Sequence, residues 1–263
     1  AENLKDLVEF LKTLNGQEKI SIIGAGSNIL ITDNLFDGVV IKLGKNFNNI
    51  SLMNENIIIS GTAVLDRKLS DFAAINNLGG FEFLSCIPGT VGGGIKMNAG
   101  CFDKEFKDVL ISVQAIDLLG KILTIPAHQI NFEYRNNDLP ENLIFLSASF
   151  KGIKDDNQNI KDKMLKLKSK KEKNQPTKIK TSGSTFKNPV KKSNKKVWEL
   201  IRESVPLDIK FGDACISDKH SNFFVNKGNA SFKDMKKLID FVAESVFKKT
   251  GIIIEKEIKI LEN

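Results

Sequence analysis

Arginine is nearly absent from this sequence. Arg67, Arg135 and Arg202 are the only three among 39 basic side chains, and lysine supplies the rest. Each arginine therefore stands out against a Lys, Ile and Asn background of the kind AT-rich coding produces. Histidine is as scarce: His128 and His220 are the only two, neither has a metal-spaced partner, and no metal site is expected. His128 reads as structural. The three cysteines, Cys86, Cys101 and Cys215, form no C-x-x-C pair, and an odd number cannot close a disulfide framework. Reduced thiols point to the cytoplasm. Cys215 has no histidine-based constellation that would make it a nucleophile. No apolar run reaches the ~18 residues that cross a bilayer, so no membrane partner is expected. A Walker phosphate loop is also missing.

What is present is an ordinary globular mixture, 41% hydrophobic and 27% charged, in 263 residues. The net charge of +7 is unevenly spread, because residues 151–196 hold sixteen lysines against Asp155, Asp156, Asp162 and Glu172. A basic segment suggests an anionic partner, nucleic acid included. Residues 151–185 contain no aromatic side chain on which a base could stack. The reading preferred here is a solvated, Lys-rich junction with no nucleic-acid partner.

Helical and strand periods alternate along the chain. Asn3 can cap a helix with the apolar stripe Leu4, Leu7, Val8, Leu11 and Leu14, with Gly16 as its stop. Short buried-strand patterns follow at residues 21–23, 39–41 and 57–59. Residues 65–77 return to helical spacing. Residues 109–115 and 121–125 read as a hairpin around Leu119-Gly120, and residues 143–150 as a further strand. Ile160, Met164 and Leu167 make a weak helical stripe that Pro176 ends. Then come a loop at 181–189, a helix around Val197, Leu200 and Ile201, and an irregular stretch to Gly228. Ser231 and Asp234 form a capping box before a strong amphipathic helix, and residues 252–261 close the chain as a strand. The mixture lacks the regular βαβα rhythm of a doubly wound sheet.

Two glycine-rich segments could carry chemistry. Gly24-Ala25-Gly26-Ser27-Asn28 follows a strand and could turn backbone N–H groups toward a phosphate, or be a plain tight turn. It is not a dinucleotide fingerprint, because Ile29 fills the third glycine position and residues 29–31 read as strand. Residues 88–100 hold five glycines in thirteen. Such a cluster is tolerated where backbone must approach something closely, and Val91, Ile95 and Met97 would anchor the loop. A large flat or phosphorylated ligand fits that pattern. Three polar sites complete the set. Tyr134-Arg135 pairs the only tyrosine with an arginine, whose planar fork suits a carboxylate, or which is a plain surface arginine. Thr181-Ser182-Gly183-Ser184-Thr185-Phe186-Lys187-Asn188-Pro189 could hold an anion, present a hydroxyl proton, or be a hydrophilic turn. Glu255 and Glu257 share a face of the terminal strand, either solvated or functional.

Taken in order, residues 24–28, 87–100 (IPGTVGGGIKMNAG), Tyr134-Arg135, 183–189 (GSTFKNP), Lys219-His220-Ser221-Asn222-Phe223 and Glu255-Lys256-Glu257 resemble the UDP-N-acetylenolpyruvoylglucosamine reductase family over nearly the whole chain. The resemblance implies an α+β fold with an FAD-binding part of the vanillyl-alcohol oxidase type in two subdomains, plus a small substrate-binding domain. On that template residues 1–64 are the first FAD subdomain, 65–175 the second, 176–250 the substrate domain, and 251–263 a C-terminal strand. The family carries an N-terminal arm ahead of its first helix, and this sequence opens at that helix. The stretch 219–226 matches the form lacking a Tyr-bearing insertion, and Cys86 stands where glycine is expected.

The implied activity is NADPH-dependent reduction of UDP-N-acetylglucosamine enolpyruvate to UDP-N-acetylmuramate through FAD, for peptidoglycan. Catalytic roles fall on Arg135, Ser184 and Glu257. FAD contacts fall on Gly24, Ala25, Gly26, Ser27, Asn28, Pro88, Gly89, Thr90, Gly92, Gly93, Asn98 and Gly100. Substrate contacts fall on Tyr134, Lys187, Asn188, His220 and Asn222. The glycine loops hold no His or Cys suited to covalent attachment, so FAD is expected to be held non-covalently, in a monomer. The alternatives are another FAD-dependent oxidoreductase of the same fold and a basic nucleic-acid-binding module.

Overall fold

A computed structural model describes residues 1–14, 18–176 and 179–263. The chain forms two units, one made of Ala1–Ala25 with Gly38–Lys170, the other of Gly26–Asp37 with Lys171–Asn263. Helix and strand are mixed in both, as the α+β expectation requires.

The first unit is built on a five-stranded antiparallel sheet in the order Ile122–Pro126, Leu110–Ile116, Ile144–Lys151, Ile57–Gly61, Ile50–Asn54. The central strand Ile144–Lys151 serves two cores. Ile144 and Leu146 face one that includes Leu7 and Leu11 of helix α1 (Leu4–Thr13). Phe145, Ala148 and Phe150 face the other, which lies against α2 (Asp66–Ile75) and α3 (Val91–Lys96). A register shift between Phe145 and Ser147 resets the alternation, so that Phe145 and Phe150 share a face despite their odd spacing. Phe106 centres the larger core, edge-on to Phe83 at 6.3 Å and Phe150 at 6.1 Å. The expected cap of α1 is formed: Asn3 Oδ1 accepts the Asp6 N–H at 2.9 Å. Its expected stop, Gly16, lies outside the described residues. Strand Ile20–Ile23 pairs in parallel with Val39–Lys42 and delivers the chain to Gly24. The expected hairpin is present, with Gly120 at φ +81° in its turn.

Helix α4 (Asn157–Asn174) buries only Ile160 and Met164, against Ala74, and turns its lysines outward. Its weak apolar stripe matches that narrow contact.

The second unit carries a four-stranded antiparallel sheet in the order Thr181–Ser184, Phe223–Asn226, Ala214–Ile216, Lys210–Phe211. Helices α5 (Val197–Ser204) and α6 (Phe232–Thr250) cover it, burying Leu200, Ile201, Leu238, Ile239, Val242 and Val246. The capping box of α6 is formed, with Asp234 N–H on Ser231 Oγ at 3.1 Å and Ser231 N–H on Asp234 Oδ2 at 3.0 Å. Gly251 ends the helix at φ +71°.

Four expectations are corrected. The glycine segment 88–100 contains a short helix, α3, instead of being all loop, because Val91 and Ile95 share one helical face and are fully buried. Residues 181–184 are a strand, not a loop. The stretch before Gly228 is not irregular but holds three strands of two to four residues. Ala214, Cys215 and Ile216 are all buried, so no alternation marked them. The C-terminal strand is confined to Lys259–Leu261, paired in parallel with Ile29–Ile31. Upstream of it only Lys256 pairs, in a bridge with Phe186.

Candidate active site

In the first unit Gly24 abuts the second glycine segment. A Cβ on Gly24 would stand 2.3 Å from Thr90 Oγ1. The chain enters the second segment through backbone bonds from Asp66 N–H to the Gly89 carbonyl at 3.1 Å and from Val91 N–H to the Val64 carbonyl at 2.9 Å. The glycines then divide by purpose. Gly92 lies on Thr62, where a Cβ would approach Thr62 Cβ to 3.0 Å, and Gly94 lies on the Phe106 ring, where a Cβ would come within 2.1 Å. These two serve internal packing. Gly93 faces outward, with nothing nearer its absent Cβ than Thr90 Oγ1 at 3.7 Å. The N–H groups of Gly89, Thr90 and Gly93 donate to no acceptor among the described residues. Unclaimed backbone donors beside a side-chain-free surface suit the diphosphate of a dinucleotide, and the segment fits FAD on that ground. Asn98 is fully buried at φ +40°, and its amide serves Glu105 Oε2 at 2.9 Å, the Glu133 carbonyl at 3.0 Å and the Lys107 N–H at 3.2 Å. It braces the segment from behind.

Arg135 belongs to the same unit. It sits in the two-residue turn between Phe132–Glu133 and Asn136–Asn137, at φ +56°. Its Nη2 donates to the Gly100 carbonyl at 2.8 Å, its Nη1 lies 3.6 Å from Glu105 Oε1, and its guanidinium lies over the Tyr134 ring at 4.8 Å. Gly100 thus contributes a carbonyl to the arginine. A Lys107 ammonium also reaches Glu105 at 2.9 Å, and that hydrogen bond pushes the Lys107 pKa up.

The second unit assembles a separate set. Gly26, at φ +74°, has nothing within 4 Å of where a Cβ would stand. Asn28 Nδ2 donates to the Glu257 carbonyl at 3.1 Å, and the Asn28 carbonyl accepts the Lys259 N–H at 3.0 Å. Ser182 Oγ donates to the Ile29 carbonyl at 3.0 Å. Gly183 takes φ +80° inside a register shift between Thr181 and Ser184, and such a bulge re-aims the side chain that follows. Ser184 is half-buried opposite Phe223. One residue on, the Thr185 carbonyl accepts the Glu257 N–H at 2.8 Å. Ser184 and Glu257 are thereby held on neighbouring backbones.

Around them the polar residues are committed to the protein. Asn222 Oδ1 accepts the Phe186 N–H at 3.0 Å and its Nδ2 donates to the Phe186 carbonyl at 2.9 Å. Asn188 Oδ1 accepts the Val197 N–H at 3.0 Å and so holds the first turn of α5. The Lys187 N–H donates to the Glu255 carbonyl at 2.8 Å. His220 packs between Trp198 at 6.2 Å and Phe223 at 4.9 Å, and that burial lowers its pKa. Its Nδ1 accepts the Asn222 N–H at 3.2 Å, which leaves the proton of the neutral ring on Nε2.

Sequence reasoning missed Glu105 and Thr62. Glu105 looks like a lone acid among lysines, and only the hairpin Gly100–Cys101/Lys104–Glu105 brings it to Arg135. Thr62 has no motif of its own; it anchors Gly92 because its carbonyl takes the Gly92 N–H at 2.9 Å. Among the described residues no group of three or more His, Cys, Asp and Glu side chains could hold a metal, and no helix is long and apolar enough to cross a membrane.

With the geometry in place, the likenesses to known proteins are specific. Residues 1–126 match the family described as "FAD binding domain". Residues 175–261 match "UDP-N-acetylenolpyruvoylglucosamine reductase, C-terminal domain". The UDP-N-acetylenolpyruvoylglucosamine reductase of Pelagibacter ubique is 67% identical over 261 residues, which are 99% of this chain and 86% of that protein. The protein of the same name from Rickettsia typhi is 45% identical over 254 residues, 97% of this chain and 85% of the relative. The crystal structure of the Thermus caldophilus UDP-N-acetylenolpyruvylglucosamine reductase superposes with a TM-score of 0.84 at 30% identity, over 100% of this chain and 91% of that one. Its fold is the α+β, FAD-binding architecture expected from the sequence. By these likenesses the chain belongs to the UDP-N-acetylenolpyruvoylglucosamine reductase family.

Proposed function

We propose that this protein reduces UDP-N-acetylglucosamine enolpyruvate to UDP-N-acetylmuramate with NADPH, through non-covalently held FAD, as a step toward peptidoglycan. The observation that supports the reading is the bond from Glu257 N–H to the Thr185 carbonyl at 2.8 Å, which joins the backbone segments that carry Glu257 and Ser184. Residues 1–64 and 65–175 act as the FAD-binding subdomains, 176–250 as the substrate domain, and 251–263 as the segment bearing the catalytic glutamate. The protein works as a cytoplasmic monomer without nucleic acid, and the lysines of α4 are solvated.

FAD supplies the relay of hydride from NADPH to the terminal vinyl carbon of the substrate. The Gly89, Thr90 and Gly93 N–H groups would hold it, and Gly24, Ala25, Gly26, Ser27, Asn28, Pro88, Gly92, Asn98 and Gly100 are the further residues assigned to it. Hydride arrival leaves negative charge on the neighbouring carbon, delocalised into the substrate carboxylate. Arg135 meets that charge with a planar, permanently cationic fork. Glu257 stabilises the enolic species only as a protonated acid or through a shared donor. Ser184 delivers the proton to carbon. Tyr134, Lys187, Asn188, His220 and Asn222 are the residues assigned to the nucleotide sugar. The neutral His220 ring presents an Nε2 donor.

The test separates the half-reactions. Ser184→Ala should leave anaerobic reduction of FAD by NADPH nearly intact and slow reoxidation by the enolpyruvyl substrate by at least the ~10²-fold typical of a lost general acid. Equal slowing of both halves would remove the proton-donor role.

A further inference from the structure

We propose that Glu105 is a positioning residue for Arg135: with the Gly100 carbonyl, its carboxylate aims the guanidinium at the substrate's carboxylate. The inference rests on the role given to Arg135 above. Gly100 and Glu105 are register partners in one hairpin, so a single element presents both acceptors to the arginine. Nη2 meets the Gly100 carbonyl at 2.8 Å and Nη1 meets Glu105 Oε1 at 3.6 Å. The Tyr134 face, 4.8 Å away, adds a third constraint. The other carboxylate oxygen is itself fixed, by Asn98 Nδ2 at 2.9 Å and Lys107 Nζ at 2.9 Å. The Arg135 and Glu105 side chains are only 17% and 20% exposed, so the pair is poorly screened by water.

Backbone strain marks the same place. Among the described residues five non-glycine residues have left-handed φ, and four of them are Asn98 (+40°), Phe102 (+53°), Asp103 (+62°) and Arg135 (+56°). Phe102 and Asp103 form the hairpin's two-residue turn, a geometry that favours Asn-Gly and disfavours a bulky side chain. Strain of this kind persists where the surroundings over-determine the backbone. Here the hairpin pairing that holds the strained turn also aligns Gly100 and Glu105 on one guanidinium.

The test is a double-mutant cycle in the FAD-loaded enzyme, with Glu105→Gln, Arg135→Ala and the pair, followed by flavin absorbance without oxygen. Glu105→Gln should slow reoxidation by the enolpyruvyl substrate roughly 10- to 100-fold, the effect of a misaimed catalytic group, and leave reduction by NADPH unchanged. In the Arg135→Ala background it should add nothing. Glu105→Asp, which keeps the charge, should recover part of the rate, and it replaces Glu105→Gln if that variant fails to retain FAD. Lys107→Met, which leaves the Asn98 bond to Glu105 in place, should slow reoxidation less than Glu105→Gln does. The proposal is overturned if Glu105→Gln costs as much in the Arg135→Ala background as in the parent, or slows both half-reactions alike, or is matched by Lys107→Met. If Arg135→Ala itself reoxidises at the parental rate, the role of Arg135 fails first, and that result is distinct from the others.

Discussion

Replacing Asn222 with alanine tests how the loop bearing Ser184 is held. The Phe186 N–H and carbonyl point away from the bridge to Lys256 and take both of their described hydrogen bonds from one side chain, the amide of Asn222, at 3.0 and 2.9 Å. Asn222 is 3% exposed and Phe186 1%. Asn222→Ala therefore leaves a buried donor and a buried acceptor without partners. At about 1–3 kcal/mol for each stranded group, the loss is about 2–6 kcal/mol. That is a large share of the ~5–15 kcal/mol by which folded domains are stable. Trp198, the only tryptophan, lies beside His220 in the same unit, so its fluorescence in a urea titration reports this unit alone. Asn222→Asp should be no better at neutral pH: a carboxylate can still accept the Phe186 N–H but sets a negative charge against the Phe186 carbonyl. Reoxidation should slow in both variants, because Ser184 stands two residues from the released backbone. An unfolding free energy for Asn222→Ala within about 0.5 kcal/mol of the parent, the range of an ordinary surface change, would refute the reasoning.

Three further outcomes follow from burial and exposure. Both carboxylate oxygens of Asp66 and the Ser70 hydroxyl are buried without hydrogen-bond partners among the described residues, and burial raises the Asp66 pKa well above its ordinary 3.8. An acid whose folded pKa is raised adds most to stability below its unfolded pKa and loses that contribution as pH climbs through the folded one. Asp66→Asn should therefore gain melting temperature over the parent progressively above about pH 4, where free Asp ionises; a difference constant from pH 4 to 8 in scanning calorimetry would show that the charge is not the cause. Gly93→Val should abolish FAD binding, measured by flavin fluorescence, with little loss of fold, whereas Gly94→Ala should destabilise the protein by about 1–3 kcal/mol through overpacking on Phe106. Undiminished FAD affinity in a folded Gly93→Val protein would move the cofactor's diphosphate elsewhere.

Local chemistry made much of the molecule legible from sequence alone. Asn3, Ser231 with Asp234, and the apolar stripes of α1, α2, α5 and α6 act within a few residues of themselves, so their helices were readable in the chain. The order of the motifs carried the family and the cofactor. Tertiary structure decided the rest, because the forces involved join distant residues. Short strands such as Ala214–Ile216 are stabilised by partners on both sides and show no period of their own. Glycines that look alike in sequence serve opposite purposes, Gly94 against a phenylalanine ring and Gly93 toward open space, and only the fold separates them. Glu105 carries no sequence signal, since its meaning is a contact with Arg135 across thirty residues of chain that a strained hairpin closes.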